Sequence, residues 1–181
     1  PKLTNALGTA TDVELTGASA DLFDAEVVNG TIHLTLAKSG DNYSTKATYK
    51  IVPLLTICDQ QVKGSALSIK VTQSALKLAS LPNRTVYTSQ ATPLVQTLRI
   101  TAPAAAEIGD VTLNAKTSAA LRSALDTAGG LQSSGATIAF PAKAFTGLKP
   151  GNYTVILDII PVNAASDSKP TQAKFTLTVK K

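Results

Sequence analysis

The sequence predicts an all-β protein built from two packed layers of strands. Its 181 residues include 44% hydrophobic but only 4% aromatic and 16% charged side chains. An aliphatic composition that is also rich in Thr and Val favours pleated, half-buried surfaces. Residues 171–181 give the strongest single pattern, because Ala173, Phe175, Leu177 and Val179 alternate with polar residues. This period of two predicts a strand with one buried face and one solvent-facing face.

Shorter apolar segments, separated by Gly, Pro, Asn and Ser, predict further strands at the intervals typical of sandwiches. In chain order these are residues 13–15, 26–28, 31–36, 45–57, 66–71, 85–87, 94–101, 111–115, 136–140 and 153–162. Residues 74–81 fit a strand and a short helix equally well. Asn29-Gly30 connects two of the strands and is typical of a type I′ turn, so we expect a hairpin there.

One segment departs from the strand pattern. Residues 118–128 are rich in Ala and Leu, Thr117 or Ser118 can cap their amino end, and Gly129-Gly130 can end them. The sequence therefore predicts one short helix over residues 118–128, to which we assign no chemistry.

A chain of this length can bury a core without disulfides, and we expect residues 1–181 to form a single sandwich domain. A division into two smaller sandwiches near Pro82-Asn83 is the alternative. Cys58 follows an apolar run, and we expect it to be buried as a small hydrophobic side chain.

The composition also limits which cellular location and which binding partners we expect for the chain. No run of about eighteen apolar residues occurs, so we expect no membrane span. The net charge of +5 is spread along the chain and Trp is absent, so we expect no nucleic-acid partner. The chain does not begin with Met, which leads us to expect a mature chain from which any targeting segment has already been removed. It contains no Met and one Cys, which suits an extracellular, cell-surface location.

No motif in the sequence is typical of a particular catalysed reaction. His33 is the only histidine and lies within a predicted strand, where we expect it to face solvent rather than to serve a hydrolase. Asp21, Asp24 and Glu26 are close in sequence and could contribute to a Ca²⁺ site, but they lack an EF-hand pattern. We therefore expect no enzyme activity, no metal site and no cofactor.

Four Asn-X-Ser/Thr sequences could accept N-linked glycans in a secreted protein. Their asparagines are Asn29, Asn42, Asn83 and Asn152. In a bacterium these residues would instead serve turns, which Asn favours.

The segment Phe145–Leu157 resembles the closing turn and strand of immunoglobulin-like modules on microbial surface proteins. In it, Leu148 precedes the turn Pro150-Gly151, and Tyr153 opens the strand. The resemblance implies an Ig-like Greek-key sandwich in which Leu148 plugs the core and the Tyr153 hydroxyl bonds to nearby backbone. Donor-strand pilins have a similar Thr- and Ala-rich composition, but their donor strand is N-terminal. The resemblance therefore implies only a subunit of a surface filament, pilus or surface layer.

These observations support a non-enzymatic extracellular structural subunit that assembles by β-strand pairing with copies of itself or with related surface subunits. In this hypothesis Phe175, Leu177 and Val179 of the terminal strand, residues 171–181, fill a groove on the neighbour. The competing interpretation is that this strand closes the sheet of its own domain. The alternative function is an adhesin or a carbohydrate- or protein-binding module of a larger surface protein, with host or cell-surface glycans as ligands. Its candidate contacts are the four tyrosines, Tyr43, Tyr49, Tyr87 and Tyr153.

Overall fold

The computed structural model describes residues 4–5 and 8–181. The chain forms two compact units. The first unit comprises Pro1–Gln73 with Ala165–Ser168, and the second comprises Ser74–Ala164 with Lys169–Lys181. The boundary at Gln73 lies upstream of the division near Pro82-Asn83. That residues 1–181 act as one domain stays a prediction.

The first unit is a small two-layer β structure. Its described strands are β1 (Thr4–Asn5), β2 (Gly8–Thr9), β3 (Asp12–Thr16), β4 (Phe23–Val28), β5 (Thr31–Leu36), β6 (Tyr49–Ile57), β7 (Gln60–Lys63) and β8 (Leu67–Ile69). β6 lies at the centre and pairs antiparallel with β3, β7 and β8. The β4–β5 hairpin packs over this sheet, and Ile32 and Leu55 meet in the core between them.

The turn between β4 and β5 confirms the predicted hairpin. Val28 pairs with Thr31, which leaves a two-residue loop, and both loop residues have positive φ, 49° at Asn29 and 71° at Gly30. These are the angles that a type I′ turn requires. Gly30 is also needed for space, because a Cβ there would lie 2.9 Å from Cγ2 of Thr9.

The prediction that Cys58 is buried was wrong. Cys58 is exposed and forms, with Asp59, the two-residue turn between β6 and β7. Both residues have positive φ, 48° and 61°, so this is a second turn of the I′ type. The apolar alternation of β6 ends at Ile57, one residue earlier than the sequence suggested.

One carboxylate anchors a loop of the first unit. Asp167 accepts the backbone N–H of Thr45 at 2.8 Å and the hydroxyls of Ser44 and Thr45 at 3.0 Å. The Thr45 N–H is the main cause that lowers the pKa of Asp167 from 3.8 to about 2, and the two hydroxyls add to it. Beside it, Ser166 donates from its N–H and its hydroxyl to the carbonyl of Tyr43, both at 2.8 Å.

The second unit contains the longest strands of the described chain. In order its elements are β9 (Lys77–Leu78), β10 (Arg84–Tyr87), β11 (Leu94–Thr97), β12 (Ile100–Ala102), β13 (Ile108–Leu113), α1 (Ala119–Thr127), β14 (Gln132–Ser134), β15 (Thr137–Phe140), α2 (Lys143–Thr146), β16 (Gly151–Pro161) and β17 (Thr171–Lys180). The ambiguous residues 74–81 are therefore not helical, and they contribute β9.

These strands form a Greek-key sandwich of the immunoglobulin type. One sheet has the order β10-β17-β16-β13, and the other layer consists of β11-β15-β14 with the pair β9-β12. Written as immunoglobulin strands, this is A′-G-F-C against A-B-E-D. The predicted all-β, Ig-like class is thereby confirmed for the second unit. The core between the layers includes Phe140 and Phe175, whose ring centroids are 5.9 Å apart at an interplanar angle of 83°.

Helix α1 confirms the helix predicted over residues 118–128. Leu121 and Leu125, four residues apart, are fully buried on its inner face. Gly129 and Gly130, with φ of 100° and 82°, end the helix as expected. Ser118 occupies the cap position, but its hydroxyl accepts the N–H of Thr154 in β16 instead of a helical N–H. The single-turn helix α2 was not predicted.

We expect Asp167→Asn to destabilise the chain in a pH-dependent way. Because the pKa of Asp167 is lowered on folding, its contribution to stability is full above pH 3.8 and is lost as the pH falls towards 2. Thermal unfolding of the wild-type chain and of Asp167→Asn between pH 2 and 6 should therefore show two curves that differ above pH 4 and converge near pH 2. Asp21→Asn, at an exposed position of the same unit, is the matched control. A difference that stays constant across this range would contradict the assignment.

Candidate functional site

The terminal strand that sequence analysis singled out lies inside the sheet of its own chain. β17 pairs antiparallel with β16 from Thr171↔Ile159 to Val179↔Gly151, and parallel with β10 on its other side. The three side chains proposed for assembly all point into the core, since Phe175 and Val179 are 2% exposed and Leu177 is not exposed at all. Burying each of these side chains contributes roughly 1.5–3 kcal/mol.

Two hydrogen bonds outside the regular ladder fix the β10 side of this strand. Oδ1 of Asn83 accepts the N–H of Thr176 at 2.8 Å just before β10 begins. The N–H of Thr88 donates to the carbonyl of Lys180 at 2.9 Å just after β10 ends. The structure thus corresponds to the interpretation in which the strand closes its own sheet. Donation of the strand to a neighbouring copy stays a prediction.

Three candidate residues for chemistry, His33, Asp24 and Glu26, lie on the exposed face of the β4–β5 hairpin. His33 is exposed on the outer face of the β4–β5 hairpin, as expected, and its cross-strand neighbour is Glu26. Asp24, also exposed, pairs with Thr35 on the same face. Across residues 4–5 and 8–181, no three His, Cys, Asp or Glu side chains lie close enough to hold a metal ion.

All four asparagines of the glycosylation sequences are exposed. Asn29 occupies the tip of the β4–β5 hairpin. The amide of Asn42 donates to the Ser39 hydroxyl at 3.0 Å, and Oδ1 of Asn152 accepts the Thr178 hydroxyl at 2.8 Å. Asn83 accepts the N–H of Thr176 with its side-chain oxygen, Oδ1. Their use as glycan acceptors stays a prediction.

The four tyrosines are divided between the two units. In the first unit Tyr43 and Tyr49 form an aromatic cluster with Phe23, with centroid distances of 5.8 to 5.9 Å. The Tyr43 hydroxyl donates to the carbonyl of Leu22, and the cluster is therefore structural. In the second unit Tyr87 is 49% exposed on the edge strand β10.

Tyr153 confirms the geometry implied by the resemblance. Its hydroxyl donates to the carbonyl of Lys149, four residues upstream, at 2.7 Å. Leu148, at 7% exposure, fills the core beneath the turn. This arrangement matches the tyrosine corner of immunoglobulin-type sandwiches, which fixes the connection that leads into the F strand.

Tyr153 also lines a groove in the second unit. This groove, called here the helical groove, has a volume of about 650 Å³ and is lined by one face of α1, by α2 and by the loop after α2. Its lining residues are Ala120, Ser123, Ala124, Thr127, Lys143, Ala144, Gly147, Leu148, Lys149 and Tyr153. Leu148 and Tyr153 can be identified from the sequence but the groove cannot, because only folding brings residues 120–127 next to residues 143–153.

A smaller groove of about 390 Å³ lies in the first unit, between β5 and the segment that follows β8. Its walls are largely apolar, and Leu36 beside it is 51% exposed. Among the described residues, no helix is long and apolar enough to span a membrane.

No protein-family model matches the chain, and no curated protein does. Among solved structures, a human protocadherin-24 fragment (EC1-2) is 12% identical, with a TM-score of 0.34, over 97% of this chain and 84% of that one. A titin fragment (I67–I69) is 16% identical with a TM-score of 0.33, and the chain spans 56% of its length. Zebrafish RET cadherin-like domains 1 to 4 are 12% identical with a TM-score of 0.35, and the chain spans 39% of them. Similarity at this level carries no argument about function, so the assignment of the fold depends on the strand order itself.

We expect Leu177→Ala to lower the free energy of unfolding by about 2–5 kcal/mol, because it leaves a cavity in a fully packed core. Urea denaturation of the intact chain measures this loss. Thr176→Ala on the opposite face of β17 is the matched control and should cost much less. Equal stability of wild type and Leu177→Ala would mean that the strand does not occupy this sheet in solution.

Proposed function

We propose that the chain is a non-enzymatic structural module of an extracellular, cell-surface protein, and that its second unit bears tension between its two ends. The observation that carries the proposal is the parallel pairing of the strand near the start of this unit with its last strand. β10 and β17 run side by side from Arg84↔Leu177 to Tyr87↔Lys180.

Parallel pairing decides how such a unit responds to force. Tension pulls β10 towards its amino end and β17 towards its carboxyl end. Because the two strands are parallel, these forces act along the strands and in opposite directions. Their hydrogen bonds are then sheared together, whereas a hairpin opened from its end loses its bonds one after another. Asn83 and Thr88 add bonds at the two ends of the same interface.

The partners in this proposal are other copies of the chain or related surface subunits, in a filament, pilus or surface layer. β17 lies between two strands, so strand donation takes the form of exchange. The β17 of one copy leaves its sheet, and the same strand of another copy replaces it. The proposal includes no nucleic-acid partner, no cofactor and no metal, and it allows glycans on the four exposed asparagines.

A second candidate function, a carbohydrate- or protein-binding module, is favoured by a different observation. The helical groove lies within the range of about 300–1,000 Å³ that is typical of ligand sites, and it is lined by hydroxyls and cations as well as apolar side chains.

We expect the force needed to unfold the second unit to depend on Asn83. Single-molecule pulling on both termini of the intact chain measures this force. Asn83→Ala removes a bond across the sheared interface and should lower it. Asn114→Ala is the matched control, because it removes bonds of 3.0 and 2.8 Å to Asp158 that lie outside the β10–β17 interface. A force that is equally low in wild type and in both variants would contradict the load-bearing role.

We expect a disulfide across β16 and β17 to block any assembly that proceeds by strand exchange. Thr154 and Thr176 are direct partners, and the backbone of Thr154 bonds to Ser118 on its other side. They are therefore a non-hydrogen-bonded pair, whose short Cα separation of about 4.5 Å suits a disulfide. In a Cys58→Ser background, the oxidised double cysteine variant should stay monomeric in size-exclusion chromatography, and reduction should restore assembly. Assembly that is equal in the oxidised and reduced forms would exclude exchange of β17 and leave the load-bearing role untouched.

A further inference from the structure

We infer that the helical groove of the second unit binds an acidic saccharide, a uronic-acid polymer or its fragments. This inference rests on the second candidate function, the binding module, and is independent of the load-bearing role proposed above. It depends on the charge of the groove, on the polar groups that line it and on the kind of backbone that forms its walls.

The charge of the groove is positive. Lys143 lies on α2 and Lys149 on the loop that follows, both are exposed, and none of the lining residues is acidic. Two lysines on the lining of one open groove attract carboxylates, each through an exposed ion pair of modest strength.

The remaining lining suits sugar rings. Ser123 and Thr127 lie four residues apart on one face of α1 and both line the groove, where the Thr127 hydroxyl also donates to the carbonyl of Ser123 at 2.9 Å. The Tyr153 ring is half-buried and held in place by its bond to Lys149, so it offers a fixed aromatic surface. Ala120 and Ala124 add a smooth apolar surface against which the CH groups of a sugar can pack.

The same walls argue against an acidic peptide. An extended peptide gains affinity by adding a strand to a sheet edge, and an amphipathic helix needs pockets for large apolar anchors. The walls here are helical, and α1 bonds its own backbone amides, as in the bond from Arg122 N–H to Ser118. The small side chains of Ala120, Ala124, Ala144 and Gly147 provide a smooth lining for a flat ring.

Gly147 makes a direct test feasible. Its φ is −95°, and a Cβ built on it would meet no atom within 4 Å, so a larger side chain fits at this lining position without backbone strain. Gly147→Trp therefore adds a bulky side chain to the lining of the groove, while Lys143→Gln with Lys149→Gln removes its charge. Lys174→Gln with Lys180→Gln is the matched control, because it removes the same charge from exposed positions on β17.

Binding of the intact chain to polygalacturonate is measured by isothermal titration calorimetry at low salt, with neutral dextran and poly-L-glutamate as comparison ligands. We expect polygalacturonate to bind and dextran not to bind. Affinity should fall about tenfold in the groove double variant and in Gly147→Trp, and should stay unchanged in the β17 double variant. Circular dichroism confirms that each variant is folded.

Three outcomes would overturn the inference. The first is that wild type does not bind polygalacturonate at millimolar concentration. The second is an equal loss of affinity in the β17 double variant, which would mean that net charge rather than the groove is responsible. The third is tighter binding of poly-L-glutamate that Gly147→Trp abolishes, which would assign the groove to an acidic peptide.

Discussion

The second unit depends on one constraint, the pairing of β17 on both of its edges. A strand with alternating apolar residues needs a core on one face and backbone partners on both sides. β16 and β10 supply the partners, and the opposite sheet supplies the core. The polar residues of β17 remain on the outer face of the sheet. The amphipathic strand Thr171–Lys180 therefore closes the sheet of its own unit.

Features of the sequence that act over a few residues predicted much of this fold. Asn29-Gly30 can adopt positive φ and so specifies its hairpin, and Gly129-Gly130 ends α1 for the same reason. The alternation in β17 predicts its buried face, since side chains change sides with every residue. Tyr153 was identified from the resemblance of residues 145–157 to immunoglobulin-like modules, and its hydroxyl bonds locally, four residues upstream.

Features that depend on distant partners could not be predicted in this way. Cys58 and Asp59 are not typical of a type I′ turn, and they adopt it because the pairing of β6 with β7 leaves two residues for the connection. Asp167 and Thr45 are separated by 122 residues, and neither has a local pattern that marks the bond. The helical groove was not predicted for the same reason, since α1 and residues 143–153 are distant in sequence and become neighbours only in the folded unit.

The two residues that cover a sheet edge in the second unit, Thr117 and Ser118, also help to form the helical groove. The pairing of β13 with β16 ends at Leu113, and the Thr117 hydroxyl then takes the place of a strand, donating to the carbonyl of Ile156 and accepting its N–H at 2.9 and 3.0 Å. Ser118 continues this pairing with Thr154. Because α1 begins directly after Ser118, these bonds fix the start of the helix against β16, and one face of α1 then lines the groove. Edge protection of the sheet and formation of the groove thus depend on the same two residues.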